Sequence, residues 1–286
     1  MSSRKIARRT WWRPDIFAAL LLLGTTAARA LDYREDFTNP GKPSLPPGHA
    51  WSYLAELSPA KSWYKIVPGD GFAYLSVERS MLTPRLHHGT FWPFQTITFG
   101  PVGPGHRFAM RARDTAIPGV ASMIFIHREK ETLDEIDIEI VADDTHGPGT
   151  GHPNGPEGGW TDVRLNTYAA ADTAKFVPSR KIQKPITDAD GRRVSHQDGK
   201  FHTYAIEWRT NSVRFLIDGV EQAVVEDVVP QGEADLIVGL RQMPWASRPD
   251  WEDYRTMLVD WIAIEPLDNE SPEEAPPPRQ NHTGES

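Results

Sequence analysis

Glu135, Asp137 and Glu139 occupy every second position of the stretch Asp134-Glu135-Ile136-Asp137-Ile138-Glu139-Ile140-Val141, alternating with Ile136, Ile138 and Ile140. Side chains two residues apart on a strand share a face. A strand here therefore carries three acids on one side and three isoleucines on the other. The isoleucines can be buried. The acids form a row of like charges, which costs stability unless chemistry uses it. Paired carboxylates cleave glycosidic bonds: one, protonated, donates to the leaving oxygen, and the other, ionised, attacks the anomeric carbon or activates water. Crowding like charges drives their pKa values apart, and a third acid between them can share a proton. Positions i and i+4 of a strand lie about 13 Å apart at Cα. A retaining site needs its carboxyl groups about 5–5.5 Å apart. Two glutamates leaning together can close that gap where aspartates would fall short, so the order long-short-long suits retention. The same row could instead be a solvated acidic edge or an oxygen cage for a hard cation such as calcium.

The elements that must position this row are strands. From Leu31 to Leu267 the dominant pattern is period-2 alternation broken by turn residues. Runs at 72–77, 94–99, 107–113, 121–126, 163–168, 201–208, 234–240 and 257–264 fit it, with Gly100-Pro101 expected to stop the second. Ser212 to Ile217 and Val220 to Val225 flank Asp218-Gly219, a strong hairpin signal because the primed turn wants positive φ at both central residues. About ten strands and no required helix predict an all-β chain, an antiparallel two-sheet sandwich. Residues 143–159, rich in Gly and Pro, and 171–199, polar and basic, read as long surface loops.

The ends fall outside this pattern. Arg4, Lys5, Arg8, Arg9 and Arg13 precede a short apolar run, Ile16 through Ala27, and Ala28-Arg29-Ala30 has the form of a cleavage site. Residues 1–30 therefore read as a signal peptide, with Sec and twin-arginine export both open, and the chain is expected to be secreted or periplasmic. Residues 268–286 read as a disordered Pro/Glu-rich tail, leaving 31–267 as one domain. Without residues 1–30, the 31 bases and 39 acids of the chain become 25 and 38, a formal charge of −13. That balance disfavours nucleic acid and anionic surfaces and favours a neutral partner. The apolar run is too short for a stable membrane span. With no cysteine, neither disulfides nor thiolate chemistry are available. No phosphate loop, helical His-x-x-x-His or Gly-x-Ser-x-Gly elbow occurs, and His87-His88 reads as a loop pair.

Glu135-Ile136-Asp137-Ile138-Glu139 resembles the signature of glycoside hydrolase family 16, the family of bacterial lichenase- and laminarinase-like β-glucanases, in its form without a β-bulge, as in bacterial lichenases. Phe201 to Trp208 followed by Val213 to Gly219 is similar to the strand and hairpin after the site in that family. Arg107 to Arg111 and Leu258 to Ile262 resemble its upstream and closing strands. The resemblance implies a β-jelly-roll sandwich of the concanavalin A type with a concave substrate groove, and retaining, endo-acting double displacement on β-linked polysaccharide, a β-glucan or a bacterial exopolysaccharide. It implies Glu135 as nucleophile, Glu139 as general acid/base and Asp137 as the nucleophile's helper. It implies sugar contacts for Arg111, Asn166 and Tyr168, and an aromatic platform at Trp245. Leu133 replaces the tryptophan that precedes the motif in lichenases, and Ala109 stands where they carry a sugar-binding Glu. Both changes leave the acids intact and bear on which sugar is bound.

This chemistry requires no cofactor and no metal in the site, and is compatible with a structural calcium ion. The expected partner is the polysaccharide, and the expected state is a monomer. Two other readings stay open: a transglycosylase, which shares the covalent intermediate but excludes water, and a non-catalytic lectin-like module on the same sandwich.

Overall fold

The computed structural model describes residues 31–38, 50–53, 73–78, 81–87, 94–114, 120–129, 133–141, 161–169, 178–196, 198–242 and 254–267. They form sixteen strands: β1 (Tyr33–Glu35), β2 (Ala50–Tyr53), β3 (Ala73–Glu78), β4 (Met81–His87), β5 (Phe94–Val102), β6 (His106–Arg113), β7 (Val120–Glu129), β8 (Leu133–Val141), β9 (Asp162–Ala169), β10 (Ser179–Pro185), β11 (His202–Trp208), β12 (Val213–Ile217), β13 (Val220–Val225), β14 (Ala234–Gln242), β15 (Tyr254–Thr256) and β16 (Leu258–Pro266). All pairings are antiparallel. One sheet runs β10-β9-β8-β7-β14-β5-β2. The other runs β13-β12-β11-β6-β16-β4-β15, with β1 on β16 and β3 on β4. This is the expected two-sheet sandwich, with more strands than alternation alone marked out.

The core lies between the sheets and follows from the period of two. The seven-stranded sheet contributes Ile124 and Ile126 of β7, Ile136, Ile138 and Ile140 of β8, Val163 and Leu165 of β9, and Leu236, Val238 and Leu240 of β14. Facing them are Phe108 and Met110 of β6, Tyr204, Ile206 and Trp208 of β11, and Ile262 and Ile264 of β16. The β8 isoleucines are at most 2% exposed, and each fully buried aliphatic side chain contributes roughly 1.5–3 kcal/mol. That burial fixes the register of β8 between its neighbours, because a one-residue slip would turn the acids inward.

The hairpin forms as expected. Asp218 and Gly219 take φ of 49° and 77°, and Asp218 latches the turn to β11 by accepting the Thr203 N–H at Oδ1, 2.8 Å. Two expectations change. Strand β5 runs through Gly100-Pro101 to Val102, because Gly100 leaves the space that the Asp235 carboxylate of β14 fills. Residues 171–199 are not wholly loop: β10 pairs along the full length of β9. Among the described residues no helix is long and apolar enough to cross a membrane. Residues 1–30, 143–159 and 268–286, and Trp245, lie outside the described residues.

Ile138→Ala should lower the free energy of unfolding by about 2–5 kcal/mol, measured by urea denaturation.

Candidate active site

The outward face of the seven-stranded sheet carries the acids. Glu135, Asp137 and Glu139 of β8 sit beside His127, Phe125 and Met123 of β7, and beside Tyr168, Asn166 and Arg164 of β9. The result is a three-by-three patch in which ionisable groups are flanked by apolar ones. Ala121, Met123, Phe125, Val141 and Ile237 form a second, smaller apolar cluster on this face, so the acids are set in a partly dry floor.

Hydrogen bonds tie the three carboxylates together. The Asn166 amide donates from Nδ2 to Asp137 Oδ2 at 3.2 Å and to Glu139 Oε2 at 3.1 Å. Asp137, 3% exposed, is held well above the usual carboxylate range. Burial is the main cause, followed by the charges of Glu135 and Glu139 and the hydrogen bond shared with Glu135, while Asn166 opposes the shift. The hydrogen bond shared with Glu135 favours the protonated form of Asp137. Glu139 is pushed up to about 7, by burial first. Arg164 pulls it down, Glu135 pushes it up, and Asn166 and Arg241 pull it down again. The His127 ring presents Nε2 3.7 Å from Glu135 Oε2. Tyr168 keeps its proton, since burial and then the charges of Asp137, Glu135 and Glu139 raise its pKa, and Lys181 Nζ lies 5.3 Å from the centre of its ring.

A proton-loaded acid, an acid sharing a hydrogen bond and a third carboxylate on one face are what cleavage of a glycosidic bond uses. The patch does not suit a hard cation. Calcium wants a shell of oxygens, whereas here an amide N–H points at two of the acids and guanidinium charge bears on Glu139.

The structure brings Glu135, Asp137, Glu139, Asn166 and Tyr168 together. Arg111 is not among them. It lies on β6 of the other sheet, where Phe108, Met110 and Ala112 face the core and alternation turns Arg111 outward. There its Nη1 pairs with Asp260 Oδ2 at 2.5 Å, and its guanidinium sits 4.9 Å from the Phe201 ring centre. It is therefore a strand-to-strand tie on the far surface. Trp245 lies outside the described residues. His127, Arg164 and Arg241 were not anticipated. The Arg164-Asn166-Tyr168 alternation could have flagged Arg164, whereas the others depend on which strands become neighbours.

A family model described as Glycosyl hydrolases family 16 matches residues 90–263. No curated protein sequence matches the chain. Among solved structures, the Bacillus licheniformis beta-glucanase is similar with a TM-score of 0.56 and 15% identity, over 82% of this chain and 97% of that one. The catalytic domain of an endo-1,3-beta-glucanase (laminarinase) from Thermotoga petrophila RKU-1 is similar at 0.54 and 15%, over 83% and 97%. The Crh5 transglycosylase is similar at 0.50 and 20%, over 83% and 85%. At these identities the structures show the same fold.

The raised Glu139 pKa carries a stability signature. Its contribution is present below the ordinary value of 4.5 and lost as pH rises through about 7. Glu139→Gln should therefore match the wild type in thermal melts near pH 4.5 and become the more stable of the two above pH 7.

Proposed function

The chain belongs to glycosyl hydrolases family 16 and is a glycosidase, and from that premise we propose that it opens β-linked polysaccharide internally, by retaining double displacement on the β8 carboxylates. The observation that carries this reading is the division of labour along β8. Burial pushes Glu139 up to about 7 and holds Asp137 well above the usual carboxylate range, and Asp137 shares a hydrogen bond with Glu135.

In the proposed first step a Glu135 oxygen attacks the anomeric carbon and Glu139 delivers its proton to the departing glycosidic oxygen. Asp137 holds Glu135 in place through the shared hydrogen bond and limits the charge built up along the row. A covalent glycosyl-enzyme results, and Glu139 is left ionised. In the second step Glu139 takes a proton from an incoming water, whose oxygen displaces Glu135 and restores the starting configuration. Asn166, bonded to both Asp137 and Glu139, keeps the two at fixed separation through the cycle. Tyr168 and Phe125 offer ring surface, and Tyr168 a hydroxyl, to the sugars beside the cleavage point. The steps need no cofactor, and calcium would serve the fold alone. We place the reaction outside the cytoplasm on the strength of residues 1–30, on a monomeric chain, with a β-glucan or a bacterial exopolysaccharide as substrate.

A panel of β-linked polysaccharides assayed for new reducing ends, with product sizing, tests the proposal. Hydrolysis shortens chains, transfer also yields products longer than the starting oligosaccharide, and a binding module yields neither. Glu135→Gln should lose turnover while keeping fold and glycan binding, and near-native rates would overturn the nucleophile assignment. The first-formed hemiacetal should be β by NMR. Glu139→Gln should lose about 10²–10⁴-fold on polysaccharide and much less on an aryl glycoside whose leaving group needs no proton. The fall in wild-type kcat/KM above about pH 7, set by the Glu139 pKa, should vanish in that variant.

A further inference from the structure

A second dense set of ionisable groups lies away from the β8 row, where residues 186–201 cross from β10 in one sheet to β11 in the other. This crossover is fastened at several points. Val194 N–H bonds to Ile186 O at 3.0 Å, the Gln222 amide of β13 bonds both the N–H and the carbonyl of Thr187, and His196 N–H donates to Thr161 Oγ1 at 2.8 Å.

Two imidazoles meet there. His196, 2% exposed, stacks on His202 with ring centres 3.6 Å apart and planes 8° apart. Asp218, in the β12–β13 turn, brings Oδ2 to 2.7 Å from His202 Nδ1 and 3.8 Å from His196 Nε2. Each ring's other nitrogen is engaged from behind: His196 Nδ1 lies 2.8 Å from the Tyr204 hydroxyl, and His202 Nε2 lies 3.1 Å from Asp198 Oδ1. Metal-binding histidines are oriented in this way, the rear partner fixing the tautomer so that the forward nitrogen presents its lone pair. The three forward atoms lie within 4.8 Å of one another.

An independent observation points to missing positive charge. Asp114, just past the end of β6, is 8% exposed, and neither of its oxygens has a hydrogen-bond partner among the described residues. Burial, more than any neighbour, lifts it to about 7, with His202 and Asp198 the charges that act on it. Asp114, Asp198 and Asp218 thus set three acids around two imidazoles. A cavity of about 240 Å³, lined by Asp188, His196, Asp198, His202 and Asp218 among others, gives access from solvent.

We propose that His196 Nε2, His202 Nδ1 and Asp218 Oδ2 bind one divalent d-block cation of the zinc class, with a water from the cavity as fourth ligand. Two nitrogens and one carboxylate favour zinc or its neighbours over calcium and magnesium, which select oxygen. Metal–ligand bonds of about 2.0–2.2 Å draw the three donors together and tilt the rings out of their parallel stack. Metal entry displaces any proton carried on the forward nitrogens. The ion joins the crossover to the hairpin turn on the sheet that does not carry the β8 acids, so it acts on stability and not on turnover.

The test is calorimetric titration of Zn²⁺ into the full chain after dialysis against a chelator, with Ca²⁺ and Mg²⁺ as controls. One equivalent of Zn²⁺ should bind, raise the melting temperature and leave glycosidase rates unchanged, while the controls do neither. Asp218→Asn, which keeps a residue tolerant of positive φ in the turn, and His202→Gln should each weaken Zn²⁺ binding at least tenfold. Substitution of Co²⁺ into the wild type should give the visible bands of a tetrahedral nitrogen–oxygen site, a readout that does not depend on either variant folding. Absence of stoichiometric Zn²⁺ binding, binding unchanged in the folded variants, or an octahedral Co²⁺ spectrum would overturn the proposal.

Discussion

Strand β8 has to satisfy two opposite environments with consecutive residues. Its isoleucines enter the core and its acids leave it, and the period of the pleat permits no compromise between them. The cost of crowding Glu135, Asp137 and Glu139 is met from the other side of the same backbone, where Ile136, Ile138 and Ile140 lock against the facing sheet. Much of the architecture serves that lock. Strands β7 and β9 hold β8 in register on both edges, and β6, β11 and β16 supply the apolar surface beneath it. The site is thus a charged layer laid over a hydrophobic one, and loosening the lower layer would let the upper one spread apart.

Electrostatics within the upper layer are graded and not uniform. Burial raises both Asp137 and Glu139. Arg164, Asn166 and Arg241 each lower Glu139 against its burial, which leaves it at about 7, while Asp137, opposed only by the amide, is held well above the usual carboxylate range. The neighbours on β9 and β14 thereby set Asp137 and Glu139 apart from one another. Because Asn166 bonds two of the acids at once, a shift of either carboxylate is felt by the other through the same amide.

What was legible in the amino-acid sequence was local. The alternation in β8 announced both its faces, and Asp218-Gly219 announced the hairpin, since a two-residue turn of that kind fixes its own geometry. What was hidden was non-local. Arg111 faces outward, as its strand's alternation requires, but alternation cannot say which sheet a strand joins, and β6 joined the one without the acids. His127 stands in no motif of its own, and only the β7–β8 register sets it against Glu135. Strand β10 was missed because Arg180, Lys181 and Lys184 gave it the look of solvent-exposed loop. Strand β4 was missed because Pro84 sits inside it.

The same basic residues that hid β10 from view give it a further consequence. Among the described residues β10 is the last strand on its side of the seven-stranded sheet, so its outer edge offers unpaired backbone to any extended chain nearby. Lys181 and Lys184, followed by Pro185, make that edge a poor template: another copy approaching it would bring like charge against like, and the proline has no N–H to offer. Since β10 borders β9, which carries Arg164, Asn166 and Tyr168, the guarded edge also keeps a stray strand from extending the sheet beside these residues. A guarded edge beside the residues of β9 thus comes from one strand of ordinary basic residues.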